Sequence, residues 1–229
     1  MAKKGKRYRQ IAEHRPQEVC ELEDAVKFLK EHPAANFDET VEMGIRLGVD
    51  PKRSDQAVRG TITLPHGTGK KVRILVFATG AAATAAQEAG ADFVGFEELV
   101  AKIQEGWLDF DVAIATPEAM KEVRKLGKVL GPRGLMPNPK VGTVTDDTAK
   151  AVSEAKAGRV EFRMDRHGNV HVPLGKLSFA AEQLVANAHV LLDALRAARP
   201  PAAKGIFVKR CTIASTMGVG VRVNVREVA

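Results

Sequence analysis

Cysteine is scarce in this 229-residue chain, and so are aromatics other than phenylalanine: two cysteines, one tryptophan and one tyrosine. Cys20 and Cys211 lie far apart without CxxC spacing, which excludes a sequence-readable zinc site and points to neither a disulfide framework nor a redox pair. They read as buried thiols. Long apolar runs are missing too. The longest weakly polar stretch, residues 74–86, is broken by Thr79, Gly80 and Thr84. It falls short of the roughly 20 apolar residues a membrane span needs, so no membrane partner is expected. The N-terminal run Ala2-Lys3-Lys4-Gly5-Lys6-Arg7-Tyr8-Arg9 is basic with no apolar segment behind it, unlike a secretory leader. A cytoplasmic protein is expected, with no internal repeat and no low-complexity tract.

Motifs of catalysis are equally thin. His66-Gly67-Thr68-Gly69-Lys70-Lys71 resembles a phosphate loop only in part. Leu64 stands where the first glycine belongs, and Lys71 where a magnesium-binding Ser or Thr belongs. Gly80-Ala81-Ala82-Ala83-Thr84-Ala85 lacks the three-glycine fingerprint that seats a dinucleotide. His167 and His171 are four apart in an expected hairpin rather than a helix, so their spacing does not direct both imidazoles at one metal. Asp109 and Asp111 around Phe110 read as a turn and cap, and Cys211 shares an apolar strand face with Ile213. There is no HExxH and no GxSxG. The expectation is no enzyme, no cofactor and no metal.

What is present is positive charge, unevenly spread. The net charge is +7 and the pI about 9.5. Residues 1–67 carry 12 Lys+Arg against 11 Asp+Glu, residues 68–159 carry 13 against 12, and residues 160–229 carry 10 against 5. The last segment therefore holds 5 of the 7 excess charges. A local basic surplus favours a polyanionic partner, because each phosphate neutralised releases counterions. Nucleic acid leads, against a basic surface that serves solubility alone.

The pattern along the chain gives two kinds of strand. Leu22, Ala25, Val26, Phe28 and Leu29 recur at helical spacing and stop before Pro33. Residues 37–47 alternate Phe37, Val41, Met43, Ile45 and Leu47 with polar neighbours, and 58–64 alternate likewise: half-buried strands. From Pro65 the character changes. Short, nearly unbroken apolar strands at 72–78, 92–94 and 111–115 alternate with helices at 81–89, 97–104, 117–126 and 146–157, which argues a parallel sheet covered on both faces. One-sided alternation then returns, with a hairpin over 159–174 turning at 165–169, a helix over 179–198 ended by Pro200-Pro201, and strands at 206–214 and 219–225.

The fold expected is therefore mixed, α/β and α+β, in two domains. Residues 1–66 plus 159–229 form a discontinuous α+β sandwich, and residues 67–158 an inserted Rossmann-like α/β domain. Gly67, Gly69 and Gly158 suit a hinge at the two crossings.

Two segments remain. In Ser215-Thr216-Met217-Gly218 and the strand after it, Val219, Val221, Val223 and Val225 fall on every second residue, with Gly220, Arg222, Asn224 and Arg226 between them. This is either a strand presenting a basic face to RNA or a turn into an exposed edge strand. The loop GPRGLMPNPK, residues 131–140, holds three prolines and two glycines with Arg133 and Lys140. It is either a rigid presented surface or a connector.

Together these pieces resemble a known family. FDETVE (37–42), DPKRSDQ (50–56), Arg59-Gly60, LPHG (64–67), Gly90-Ala91-Asp92, GPRGLMPNPK, Gly142-Thr143-Val144 and Thr216-Met217-Gly218 look like the bacterial ribosomal protein L-one family of the large subunit's mobile stalk. The resemblance covers about residues 5–226. It implies a two-domain protein, a monomer off the ribosome, whose terminal segments bind large-subunit (23S) rRNA at the stalk. It further implies help in releasing deacylated tRNA from the exit site, and repression of its own operon by binding that mRNA. Carried over, the RNA surface falls on Phe37, Thr40, Glu42 and Arg46, on the turn region with Arg163, Arg166 and His171, on Lys176 and Ser178, and on Ser215, Thr216, Met217 and Gly218. Glu42 is the odd member, suited to accept from a base amino group or 2′-hydroxyl. Val219 stands where some relatives carry proline. The competing classes are an α/β enzyme, which lacks its phosphate loop, and a duplex-DNA regulator, which lacks a helix-turn-helix.

Overall fold

A computed structural model describes residues 5–224. The expected Val225 and Arg226 positions of the last strand and residues 2–4 of the basic arm lie outside them. In chain order the elements are α1 (Lys6–His14), α2 (Leu22–Glu31), β1 (Thr40–Leu47), β2 (Arg59–Thr63), β3 (Ile74–Phe77), α3 (Ala81–Glu88), β4 (Phe93–Gly95), α4 (Glu97–Gln104) and β5 (Val112–Ala115). Then follow α5 (Met120–Val123), α6 (Gly127–Leu130), α7 (Thr148–Lys156), β6 (Arg159–Arg163), β7 (Asn169–Lys176), α8 (Ala181–Ala197), β8 (Val208–Ser215) and β9 (Val221–Val223). The chain divides into two compact units, Met1–Gly69 with Val160–Ala229, and Lys70–Arg159.

The discontinuous unit is built on a four-stranded antiparallel sheet in the order β7-β1-β8-β9. Period-two alternation sends Val41, Met43, Ile45 and Leu47 of β1 into the core beside Val170, Val172 and Leu174 of β7 and Cys211 and Ile213 of β8. Helices α2 and α8 close that side. Leu184, Ala188, Leu191, Leu192 and Leu195 of α8, three or four apart, line its buried stripe. The opposite side of the sheet carries no helix among these contacts, and Glu42, Arg46, His171, Arg210 and Arg222 are exposed on it. Nearby, β2 and β6 pair as a separate two-stranded sheet.

The other unit is a parallel three-stranded sheet, β4-β3-β5. Every residue of β3 is buried, and its side chains divide between two cores. Leu75 and Phe77 pack with Leu99, Val100 and Ile103 of α4, while Ile74 and Val76 pack with Ala86 of α3 and Ala151, Val152 and Ala155 of α7. The Gly142-Thr143-Val144 segment lies alongside β5, where Ala115 N–H donates to Thr143 O at 3.0 Å and Thr145 N–H to Ala115 O at 3.1 Å.

Three expectations change. The hairpin over 159–174 does not form: β6 pairs with β2, and β7 with β1. The turn between them is closed by local bonds such as Asp165 N–H to Asn169 O at 2.8 Å, and its Gly168 O accepts from Leu47 N–H of β1. Within the β2–β6 pair the Phe162 ring occupies the space above Gly60, where a Cβ would stand 2.7 Å from Phe162 Cζ. The helix over 117–126 is instead a succession of short turns, α5, a 3₁₀ turn at Arg124–Leu126, and α6. Finally, residues 6–14 form α1, which buries none of its own residues and lays Tyr8 and Ile11 against the core. Its apolar content is too low for periodicity to announce it.

Candidate nucleic-acid interface

The uncovered side of the four-stranded sheet is ordered in rows by strand register. Gly44 faces His171 on β7 and Thr212 on β8, and Thr212 faces Arg222 on β9. The His171 ring lies over Gly44, whose added Cβ would be 3.4 Å from His171 Cε1 and Nδ1. In the next row Arg46 stands directly opposite Arg210. Like charges opposite one another destabilise a sheet. Among the described residues Arg46, Arg210 and Arg222 form no ion pair. Glu42 is the acid of this face, between Pro173 and Ala214.

At the start of β1 the expected site residues converge through hydrogen bonds. A register shift between Val41 and Glu42 sets Lys176 opposite Thr40. Lys176 Nζ donates to Thr40 Oγ1 at 3.0 Å and to Asp38 O at 3.3 Å. Asp38 in turn accepts from Ser178 N–H at 3.1 Å and from the Ser178 hydroxyl at 2.9 Å. Thr216 Oγ1 accepts from Thr40 N–H at 3.0 Å and donates to Thr40 O at 3.2 Å. The donor of that hydroxyl is thus engaged within the protein, leaving one lone pair for a ligand. The side chain ties its turn to β1.

Ser215 and Gly218 sit differently from what an RNA-facing role asks. Strand alternation places Ser215 opposite Val41, buried, with its hydroxyl in no hydrogen bond. A Cβ at Gly218 would stand 2.3 Å from Ser215 Oγ, so glycine here lets the turn close over the Ser215 hydroxyl, which any side chain would displace. Between them Met217 is 58% exposed, and across a cleft of about 490 Å³ lies Phe37, 56% exposed, with Arg7, Tyr8 and Asn36 in the same walls. Two large apolar side chains left open beside polar and basic ones form a surface on which a base can stack.

Glu39 unites the two walls of that cleft. Its Oε1 accepts from Ala34 N–H and Ala35 N–H, each at 2.8 Å, and its Oε2 from Met217 N–H at 2.9 Å. Burial pushes its pKa up, but the Met217 N–H, the adjacent Ser215 hydroxyl and the N–H groups of Ala35 and Ala34 outweigh it, and the carboxyl is held below its usual value. The Ser215 hydroxyl acts there as an electrostatic neighbour, since it makes no bond of proper geometry.

The remaining site residues stand apart from this end. Arg163, the last residue of β6, and Arg166, in the following turn, are exposed. The turn adjoins the far end of β1, where Leu47 N–H donates to Gly168 O at 2.8 Å. Asp165 organises it, and the N–H and side-chain amide of Asn169, with the His167 N–H, bring its pKa down to about 2. Gly67, Gly69 and Gly158 all have positive φ, of 64°, 71° and 97°. In the 131–140 loop Leu135 and Met136 pack on the core and Pro137 is buried, while Pro132 and Arg133 are exposed.

Arg210 and Thr212 belong to the open face although sequence reasoning assigned them no role. The alternation that buries Cys211 and Ile213 was the available signal. Glu39 had none, since a buried carboxylate looks like any other in a sequence. Among the described residues no cluster of three or more metal-ligating side chains occurs, and no helix is long and apolar enough to cross a membrane.

The mixed α/β architecture, with several sheets, accords with one further finding. A model of the ribosomal protein L1p/L10e family matches residues 29–219, a span that includes the whole of Lys70–Arg159, strands β1, β7 and β8 of the four-stranded sheet and the Thr216-Met217-Gly218 turn. By that match the chain belongs to the ribosomal protein L1p/L10e family.

Proposed function

We propose that this protein binds large-subunit ribosomal RNA at the mobile stalk through the open face of its four-stranded sheet and the loops at the start of β1. The observation that carries the reading is the Arg46–Arg210 pair, two exposed arginines at opposite register positions of β1 and β8, neither of them in an ion pair among the described residues. An anionic backbone laid across the face relieves their repulsion. Arg222, His171 and Lys176 extend the basic track, with Arg163 and Arg166 beyond its far end. Phe37 and Met217 offer apolar contact for an unstacked base, and Glu42 accepts from a base amino group or a 2′-hydroxyl.

Family membership supports a ribosomal protein associated with rRNA on the cytoplasmic ribosome. The bacterial stalk type, the lack of a catalytic role and a monomeric state off the ribosome follow from the resemblance. The finer roles follow from the resemblance: helping deacylated tRNA leave the exit site, and repressing its own operon through an mRNA that imitates the rRNA site. In the same reading the two units act as domains, the inserted one Rossmann-like, with Gly67, Gly69 and Gly158 at the crossings. The test is salt-titrated binding of the full chain to a stalk fragment, a duplex RNA of equal length and a duplex DNA. Selection of the stalk by several orders of magnitude is expected. Equal, steeply salt-dependent binding to all three reduces the reading to charge alone.

A further inference from the structure

We propose that Glu39 is a positioning residue for RNA recognition: its buried carboxylate holds residues 34–37 and 215–218 in the arrangement that presents Phe37 and Met217. The inference rests on the RNA-binding reading above.

The two segments are remote in sequence, and one side chain accepts three backbone N–H groups from them, those of Ala34, Ala35 and Met217. Glu39 is fully buried, whereas Asp38 is exposed and Thr40 half-buried on either side of it. No lysine or arginine pairs with it among the described ion pairs, so the three N–H dipoles, with the adjacent Ser215 hydroxyl, compensate its charge. An ionised carboxylate is acceptor on both oxygens, which is what two facing sets of donors require. Glutamine has the same length but turns an NH₂ toward one set, and that loop loses its tether. Core filling needs no such chemistry. The amides held are Met217's own and two just ahead of Phe37, and Phe37 and Met217 line one cleft. Thr216 fastens the same turn to Thr40, so the turn is held on both sides of the Met217 side chain. A ligand then meets a surface ordered in advance.

The experiment uses the full chain, native and Glu39→Gln, with two readouts: stalk-RNA affinity across a salt titration, and hydrogen exchange at individual amides. Tenfold or weaker binding with an unchanged salt slope is expected, since no phosphate contact is removed. Faster exchange should be confined to the amides of Ala34, Ala35, Met217 and their neighbours. A role in stability alone would leave the affinity of the folded variant unaltered, and that result overturns the proposal. So do native Ala34, Ala35 and Met217 amides that exchange as fast as open loops. Should Glu39→Gln not fold, Glu39→Asp keeps the charge, shortens the reach and faces the same criteria. Native protein that does not select stalk RNA overturns the functional reading instead, and the exchange data then decide separately whether Glu39 holds the two loops.

Discussion

In Lys70–Arg159 the middle strand is dry on both sides, Ile74 and Val76 beneath α3 and α7, Leu75 and Phe77 against α4. In the four-stranded sheet of the other unit, helices α2 and α8 cover one side, and the side chains opposite them stay in water. Both sheets obey the same period of two, yet what the second set of side chains meets differs. Where it meets another helix it is apolar and contributes to stability. Where it meets solvent it is free to be Arg46, His171, Arg210 and Arg222, residues that add nothing to a core. A binding surface of this kind needs the helices of its sheet on one side only.

That contrast predicts where stability and binding separate. The largest effect belongs to the doubly covered strand: Phe77→Ala should cost about 3–5 kcal/mol in denaturant unfolding, while the folded fraction keeps its RNA affinity. Next comes Arg210→Glu on the open face. Stalk binding should fall tenfold or more, with the salt slope reduced by about 1, while stability rises by about 0.2–1 kcal/mol because opposite charges then face each other at Arg46 and position 210. Loss of stability and binding together would show that Arg210 is structural and erase the contrast.

Gly218→Ala sharpens the comparison at the turn. The methyl collides with Ser215 Oγ, with an expected cost of about 1–3 kcal/mol. Adding Ser215→Ala should recover part of it, a coupling of about 0.5–2 kcal/mol read in a double-mutant cycle. An additive cycle would show that Gly218 is needed for something other than this contact. The smallest effect is at the turn leading into β7. Asp165 titrates at about 2 when folded, below its ordinary value of 3.8. Its contribution is therefore present above pH 4 and lost as the pH falls toward 2. Asp165→Asn should flatten that acid limb of the stability profile slightly. An unaltered limb assigns it to other carboxylates.

Much of this was legible from spacing. Leu22, Ala25, Val26, Phe28 and Leu29 announced α2, and the alternation from Val41 to Leu47 announced which side of β1 is buried, because burial acts locally on every second or every third to fourth residue. The Thr40, Glu42 and Arg46 face could be read in the same way. Partnership could not. The turn at Asp165 with apolar alternation on either side is as compatible with a hairpin as with two strands that part, and only the observed pairing of β6 with β2 and of β7 with β1 distinguishes them. Thr216 looked available to a ligand until Thr40 was seen to occupy its donor.

By itself, then, the amino-acid order determined the periodicities, the excess of positive charge after residue 160, the missing catalytic loops and the family motifs, since each depends only on neighbours along the chain. The tertiary structure alone decided that Arg46 and Arg210 stand face to face, that Ser215 turns inward, and that Glu39 joins two segments remote in sequence. Those are matters of distance between groups that the chain order leaves far apart, and the pairing of β1 with β8 and the hydrogen bonds that converge on Glu39 bring them together.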